Sequence, residues 1–165
     1  ATVPLSHVAP DGTARMVDVG DKPIPARSAT AEGFVRISPE LARAIRENTV
    51  KKGSVLEVAR LAGILAAKRT DELIPLCHTL PLDAVDVQAS LEEGRVRVTA
   101  TVRTQSRTGV EMEALTAVSI ACLTVIDMGK AIDKGLVIEG VRVLEKHGGR
   151  SGSYNTAPTP PGVRP

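Results

Sequence analysis

The chain has 165 residues, 42% apolar and 24% charged, with a formal net charge of +2 and only two aromatics, Phe34 and Tyr154. This is an ordinary single-domain composition, long enough to bury an aliphatic core without staples. Bases of single-stranded nucleic acid stack on aromatic rings, and their phosphates call for a basic footprint, so both numbers argue against nucleic acid as a partner.

No run reaches the roughly 20 apolar residues of a membrane span. No basic region followed by an apolar stretch opens the sequence, so no secretory signal is visible. Cys77 and Cys122 lack the spacing of a metal site or a disulfide framework. The cytosol is the expected compartment, with no membrane partner.

In chain order, residues 1–15 are polar with Pro and Gly and are expected to be a flexible start. The alternation from Arg27 to Ile37 predicts a strand. Ser38-Pro39-Glu40 gives an N-cap followed by proline at the first helical position, so a helix runs to about Asn48. Ser54 and Glu57 have capping-box spacing and open a helix to about Arg69. Its residues Val55, Val58, Ala59, Ala62 and Leu65 keep helical spacing, while Leu56, Leu61, Gly63 and Ile64 lie on its other faces. A helix apolar on several sides points to subunit contacts. Asp71 to Thr79 reads as a loop or short helical turn. Leu82–Leu91 and Arg95–Arg103 alternate about the turn Glu92-Glu93-Gly94, a hairpin with one wet face. Thr108 and Glu111 again have capping-box spacing and open a long helix to about Ile132. A last strand runs from about Val137 to Lys146. From Gly148 the chain is rich in Pro and Gly and reads as a flexible tail to Pro165. The order predicts an α+β domain over residues 16–147, a ferredoxin-like βαββαβ fold with one additional helix, its antiparallel sheet covered by helices on one face.

Three segments carry ionisable groups that a fold alone does not require. Pro75-Leu76-Cys77-His78 puts a histidine, the side chain that titrates near neutrality, in a loop. In Gly109-Val110-Glu111-Met112-Glu113, Glu111 suits a helix start, but Glu113 points elsewhere, because each residue turns a helix by about 100°. In Asp127-Met128-Gly129-Lys130 an acid and a base three apart share one helix face after a long apolar stretch. At the edge of a buried region such a lysine can serve as acid or base. Lys51-Lys52 and Lys68-Arg69 would complete a polyanion pocket if they converge with His78 and Lys130. With no Walker loop and no dinucleotide glycine fingerprint, side chains would have to hold any phosphate.

These segments, with Met16-Val17-Asp18-Val19, Lys52-Gly53, Ala59-Arg60-Leu61-Ala62-Gly63-Ile64, Ala66-Ala67-Lys68-Arg69-Thr70, Leu73-Ile74 before the Pro75 segment, Thr108 and Ala114-Leu115-Thr116-Ala117 around the Glu111 run, and Gly148-Gly149-Arg150-Ser151-Gly152, resemble the MoaC family of cyclic pyranopterin monophosphate synthases from Met16 to Gly152. Thr79 departs from the pattern, which usually has proline there. The resemblance implies a lyase of molybdenum cofactor biosynthesis. It would convert (8S)-3',8-cyclo-7,8-dihydroguanosine 5'-triphosphate to cyclic pyranopterin monophosphate and release pyrophosphate. It also implies a homohexamer, a trimer of dimers, with the site at a subunit interface. Carried over by position, Lys52, Lys130 and Asp127 are catalytic. His78, Cys77, Leu76, Glu111, Met112, Glu113, Arg27, Lys68 and Arg150 bind substrate. No cofactor is required on this reading, and Mg2+ would enter only with the triphosphate. The runner-up reading is a non-catalytic nucleotide-binding regulatory assembly domain, which would need the basic residues but not Glu113 or Asp127.

Overall fold

The computed structural model describes residues 5–149 and 152–162. Strand β1 (Ala26–Arg36) leads into helix α1 (Pro39–Glu47), helix α2 (Val55–Lys68) and the single turn α3 (Thr70–Leu73). The hairpin β2 (Ala84–Glu92) and β3 (Arg95–Gln105) follows, then helix α4 (Glu111–Gly129), β4 (Val137–His147) and the short β5 (Tyr154–Asn155). The strands lie in the order β2-β3-β1-β4-β5, and every neighbour is antiparallel. This split arrangement, with β3 between β1 and β2 and β1 between β3 and β4, is the ferredoxin-like topology expected, extended at one edge by β5.

Alternation fixes which face is dry. Ala29, Ala31 and Val35 of β1 and Val96, Val98, Ala100 and Val102 of β3 are buried beneath α2 and α4. Each valine side chain taken from water contributes roughly 1.5–3 kcal/mol. Gly33 lets α4 approach, because a Cβ there would stand 2.5 Å from Val118 Cγ1. The two helices also meet closely at Gly63, where a Cβ would lie 3.0 Å from the Ala117 carbonyl oxygen. Helix α4 is long and apolar enough to cross a membrane by composition, but it serves here as the core helix, with Ala114, Ala117, Val118, Ala121, Cys122 and Val125 buried against the sheet and α2.

Several local expectations need correction. Ser38 does cap α1, accepting a hydrogen bond from the Leu41 N–H, and Asn48 closes that helix in the left-handed region at φ 54°. Neither capping box forms, however. Ser54 makes no side-chain cap, and Glu57 turns instead to Arg60 at 2.7 Å. Val110 rather than Thr108 precedes α4, and Glu111 pairs with Lys146. In α2 the buried stripe is Val55, Ala59, Gly63, Ala66 and Ala67, whereas Val58, Leu61 and Leu65 are exposed. The small residues face the core because close packing against α4 leaves no room for leucine.

The termini expected to be flexible have partners over their described parts. Residues 5–15 fold back through a bridge between Val8 and Ala14. Within 152–162, β5 pairs with β4, and Thr159 is buried on the sheet face that carries no helix. Composition alone could not reveal this, because the stabilising partners are distant charged residues of the sheet.

Candidate active site

Helix α4 carries candidate groups at both ends. At its C-terminal end Asp127 stands between two ammonium groups, 2.8 Å from Lys52 Nζ and 2.7 Å from Lys130 Nζ. Lys52 comes from the turn before α2, and its Nζ also donates to the Asp127 carbonyl oxygen at 3.4 Å. The hydrogen bond from Lys130, then that from Lys52, pulls the Asp127 carboxyl down to about 2. It is therefore an anion at any working pH. All three side chains are half-exposed. Among the described residues nothing supplies the burial expected around these lysines.

At the N-terminal end lies a cavity of about 620 Å³ whose walls include Pro75, Leu76, Cys77, His78, Glu111 and Glu113. The loop after α3 delivers the first four, and Met112 also lines the cavity. Glu113 is only 3% exposed and its Oε1 has no hydrogen-bond partner. The other oxygen, Oε2, accepts a hydrogen bond from Cys77 Sγ at 3.5 Å. Burial raises the Glu113 carboxyl above its ordinary value. Burial first, and the Glu113 charge second, pushes the Cys77 thiol up to about 12, which makes it a neutral donor and not a nucleophile. Glu111 Oε1 lies 2.8 Å from Lys146 Nζ. That oxygen is buried and makes no hydrogen bond, so the contact is an ion pair between two partly exposed side chains.

His78 is held by the Val17 carbonyl oxygen, 2.5 Å from Nε2, which puts the proton on Nε2. Thr79, in the place of proline, donates to Asp71 Oδ2 at 2.7 Å and so ties the loop by a hydrogen bond where a ring would have stiffened it. Arg27 sits at the start of β1, with Nε donating to the Ser106 carbonyl at 2.9 Å, its aliphatic stem beside Gly148 and its guanidinium beside Gly149. Lys68, exposed at the end of α2, flanks a shallow depression that shares Leu80 with the larger cavity. Arg150 lies outside the described residues.

The predicted residues thus form two groups. His78, Cys77, Leu76, Glu111, Met112 and Glu113 come together at one end of α4, and Lys52, Asp127 and Lys130 at the other. Glu113 and Asp127 are fourteen residues apart on one helix, which is about 21 Å at 1.5 Å per residue. Sequence reasoning missed Lys146, His7 and Val17. Lys146 stands just before Gly148-Gly149, but nothing in its surroundings signals a partner in α4. Among the described residues no group of three or more His, Cys, Asp and Glu could hold a metal ion.

Known proteins resemble this chain along most of its length. Cyclic pyranopterin monophosphate synthase of Methylobacterium sp. (strain 4-46) is 59% identical over 93% of this chain and 98% of its own length. The protein of the same name from Methylobacterium nodulans is 58% identical over the same shares. That from Parvibaculum lavamentivorans is 54% identical over 91% and 95%. Among solved structures, a de novo designed protein with a ferredoxin fold matches at a TM-score of 0.37 and 12% identity, over 70% of this chain and 83% of its own. The MoaC family pattern matches residues 16–149, and the chain belongs to the MoaC family.

Proposed function

We propose that this chain is a cyclic pyranopterin monophosphate synthase of molybdenum cofactor biosynthesis. It takes a cyclised dihydroguanosine triphosphate, rearranges it to a pterin bearing a cyclic phosphate, and releases pyrophosphate. The observation that carries the reading is the Lys52–Asp127–Lys130 bridge in a chain 59% identical to a protein of that name. Opening one ring and closing another moves protons to and from nitrogen and carbon, and two ammonium groups on a fixed anion are suited to that. Asp127 orients both lysines, which exchange the protons.

The purine end fits the other group. Glu113 Oε1 is buried without a donor, and the amidine edge of a guanine or reduced pterin offers two adjacent N–H groups. His78, Lys68, Arg27 and Arg150 are assigned to the phosphates, where positive charge offsets what grows on departing pyrophosphate. The reaction needs no resident cofactor, and a Mg2+ ion would travel on the triphosphate oxygens.

Both groups serve one substrate only if two copies of the chain meet, the lysine end of one against the cavity of the other. The half-exposed lysines and the exposed apolar side chains Leu61, Leu65 and Leu123 of the helix layer support such an assembly. We assign it to a homohexamer of three dimers. Incubation with enzymatically prepared cyclised substrate, following pyrophosphate and the fluorescent oxidised pterin together, tests the activity. Both signals are expected, and both are lost in Lys52→Ala with the hexamer intact. Tight binding with neither signal would favour a non-catalytic nucleotide-binding domain.

A further inference from the structure

The helix-free face of the sheet carries a buried ionic cluster that the proposed reaction does not use. Glu32 of β1 is fully buried there. Its Oε2 accepts from Arg97 Nη2 at 3.1 Å, and its Oε1 accepts from Arg142 Nε at 3.0 Å. The remaining donors come from the C-terminal segment: Thr159 gives Oε1 its hydroxyl at 2.6 Å and its N–H at 3.2 Å. The arginines in turn donate to that segment's backbone. Arg142 Nη2 reaches the Ala157 carbonyl at 2.9 Å, Arg97 Nη1 the Thr159 carbonyl at 3.0 Å, and Arg95 Nη2 the Pro160 carbonyl at 2.7 Å. Beneath them Phe34 is fully buried, with the Arg95 guanidinium 4.1 Å from the ring centre.

The chemistry of this face selects its occupant. Glu92 takes Arg95 Nε at 2.7 Å and lies 3.5 Å from Arg97 Nη1, and Glu32 takes the other two arginines, yet each of the three still turns a donor to the segment's carbonyls, so a peptide rich in carbonyls and poor in N–H groups fits. Proline supplies a carbonyl without an N–H and holds the chain extended. In Ala157-Pro158-Thr159-Pro160-Pro161 the threonine between prolines brings the N–H and hydroxyl that Glu32 takes.

We propose that this face is a recognition seat for an extended Thr-Pro peptide, filled in cis by residues 156–160 of the same chain, with Glu32 as the reader of Thr159. The seat keeps the charged sheet face closed, and a chain whose own segment is displaced takes the same peptide in trans.

Two measurements on the full chain test this. In hydrogen exchange, the Thr159 amide of the wild type exchanges about tenfold or more slowly than in a synthetic peptide of residues 154–162, and Thr159→Val loses much of that protection while β1 to β4 keep theirs. In Thr159→Glu, a second carboxylate meets Glu32 and expels the segment. The labelled wild-type peptide then binds this variant saturably by fluorescence polarisation and leaves the wild type, whose seat is filled, unbound. Circular dichroism and thermal unfolding confirm that the variant is folded. Free-peptide exchange rates at Thr159 in the wild type, or equal peptide binding by both proteins or by neither, would overturn the proposal. Protection that disappears when the protein is diluted to monomers would overturn the cis assignment.

Discussion

Replacing Glu113 by glutamine gives a stability change whose dependence on pH follows from the geometry. The carboxyl is 3% exposed, with one oxygen lacking a hydrogen-bond partner and the other accepting from a thiol. Burial raises it above its ordinary value of 4.5. For an acid raised in the folded state, the stabilising contribution is present below the unfolded value and is lost as pH climbs through the folded one. Glutamine has nearly the same shape and never ionises. At pH 4 the two proteins should therefore differ little, glutamine being about 1 kcal/mol worse for its unpaired N–H. From pH 4.5 upward the variant gains on the wild type by up to about 1.4 kcal/mol per pH unit, until the folded carboxyl is ionised and the difference levels off. Urea unfolding at fixed protein concentration across pH 4 to 8 measures it. A difference that stays flat, or falls as pH rises, would refute the buried, unpartnered carboxylate. Product formation is lost in the same variant, because the amide turns a second donor toward the substrate's N–H edge. A residue kept at a stability cost is what a binding role predicts.

Gly33→Ala drives a methyl to 2.5 Å from Val118 Cγ1 and should cost about 1–3 kcal/mol in thermal or urea unfolding, partly recovered in the double variant with Val118→Ala. Thr79→Val removes the hydrogen bond to Asp71 and should raise KM several-fold with little change in kcat, whereas Thr79→Pro should preserve both in steady-state kinetics. Asp127→Asn leaves Lys52 and Lys130 without the anion between them and should abolish pterin formation while the assembly seen in size-exclusion chromatography is unchanged.

The order of elements was legible in the sequence because period-two and helical patterns are local, and Ser38-Pro39 marked a helix start that formed as read. The exposed and buried sides of α2 were not, because the choice between the leucine stripe and the alanine–glycine stripe is made by α4 across the interface at Gly63. Both capping boxes failed because their glutamates found stronger partners, Arg60 one turn on and Lys146 in a distant strand. At the site, residue types and resemblance singled out side chains that the fold gathers at the two ends of α4, and Asp127 pairs with Lys130 as their spacing allows. Sequence spacing could not show that Lys52 shares that carboxylate, nor that the length of α4 separates this bridge from the cavity at Glu113. The partners of Thr159 in the tail were not legible for the same reason, since the acid and arginines that hold it lie in three different strands.

Subunit mixing tests the central claim, one site built from opposite ends of two copies, most directly. Lys52→Ala and Glu113→Gln proteins, each inactive alone, are unfolded together, refolded as an equal mixture, and assayed for pyrophosphate and pterin. If each site takes its lysines from one copy and its cavity from the other, half of randomly formed dimers are mixed and each contains one intact site, so activity returns to about a quarter of wild type. If the mixture stays as inactive as its components while assembling normally, both groups act within one chain and the shared-site account is wrong.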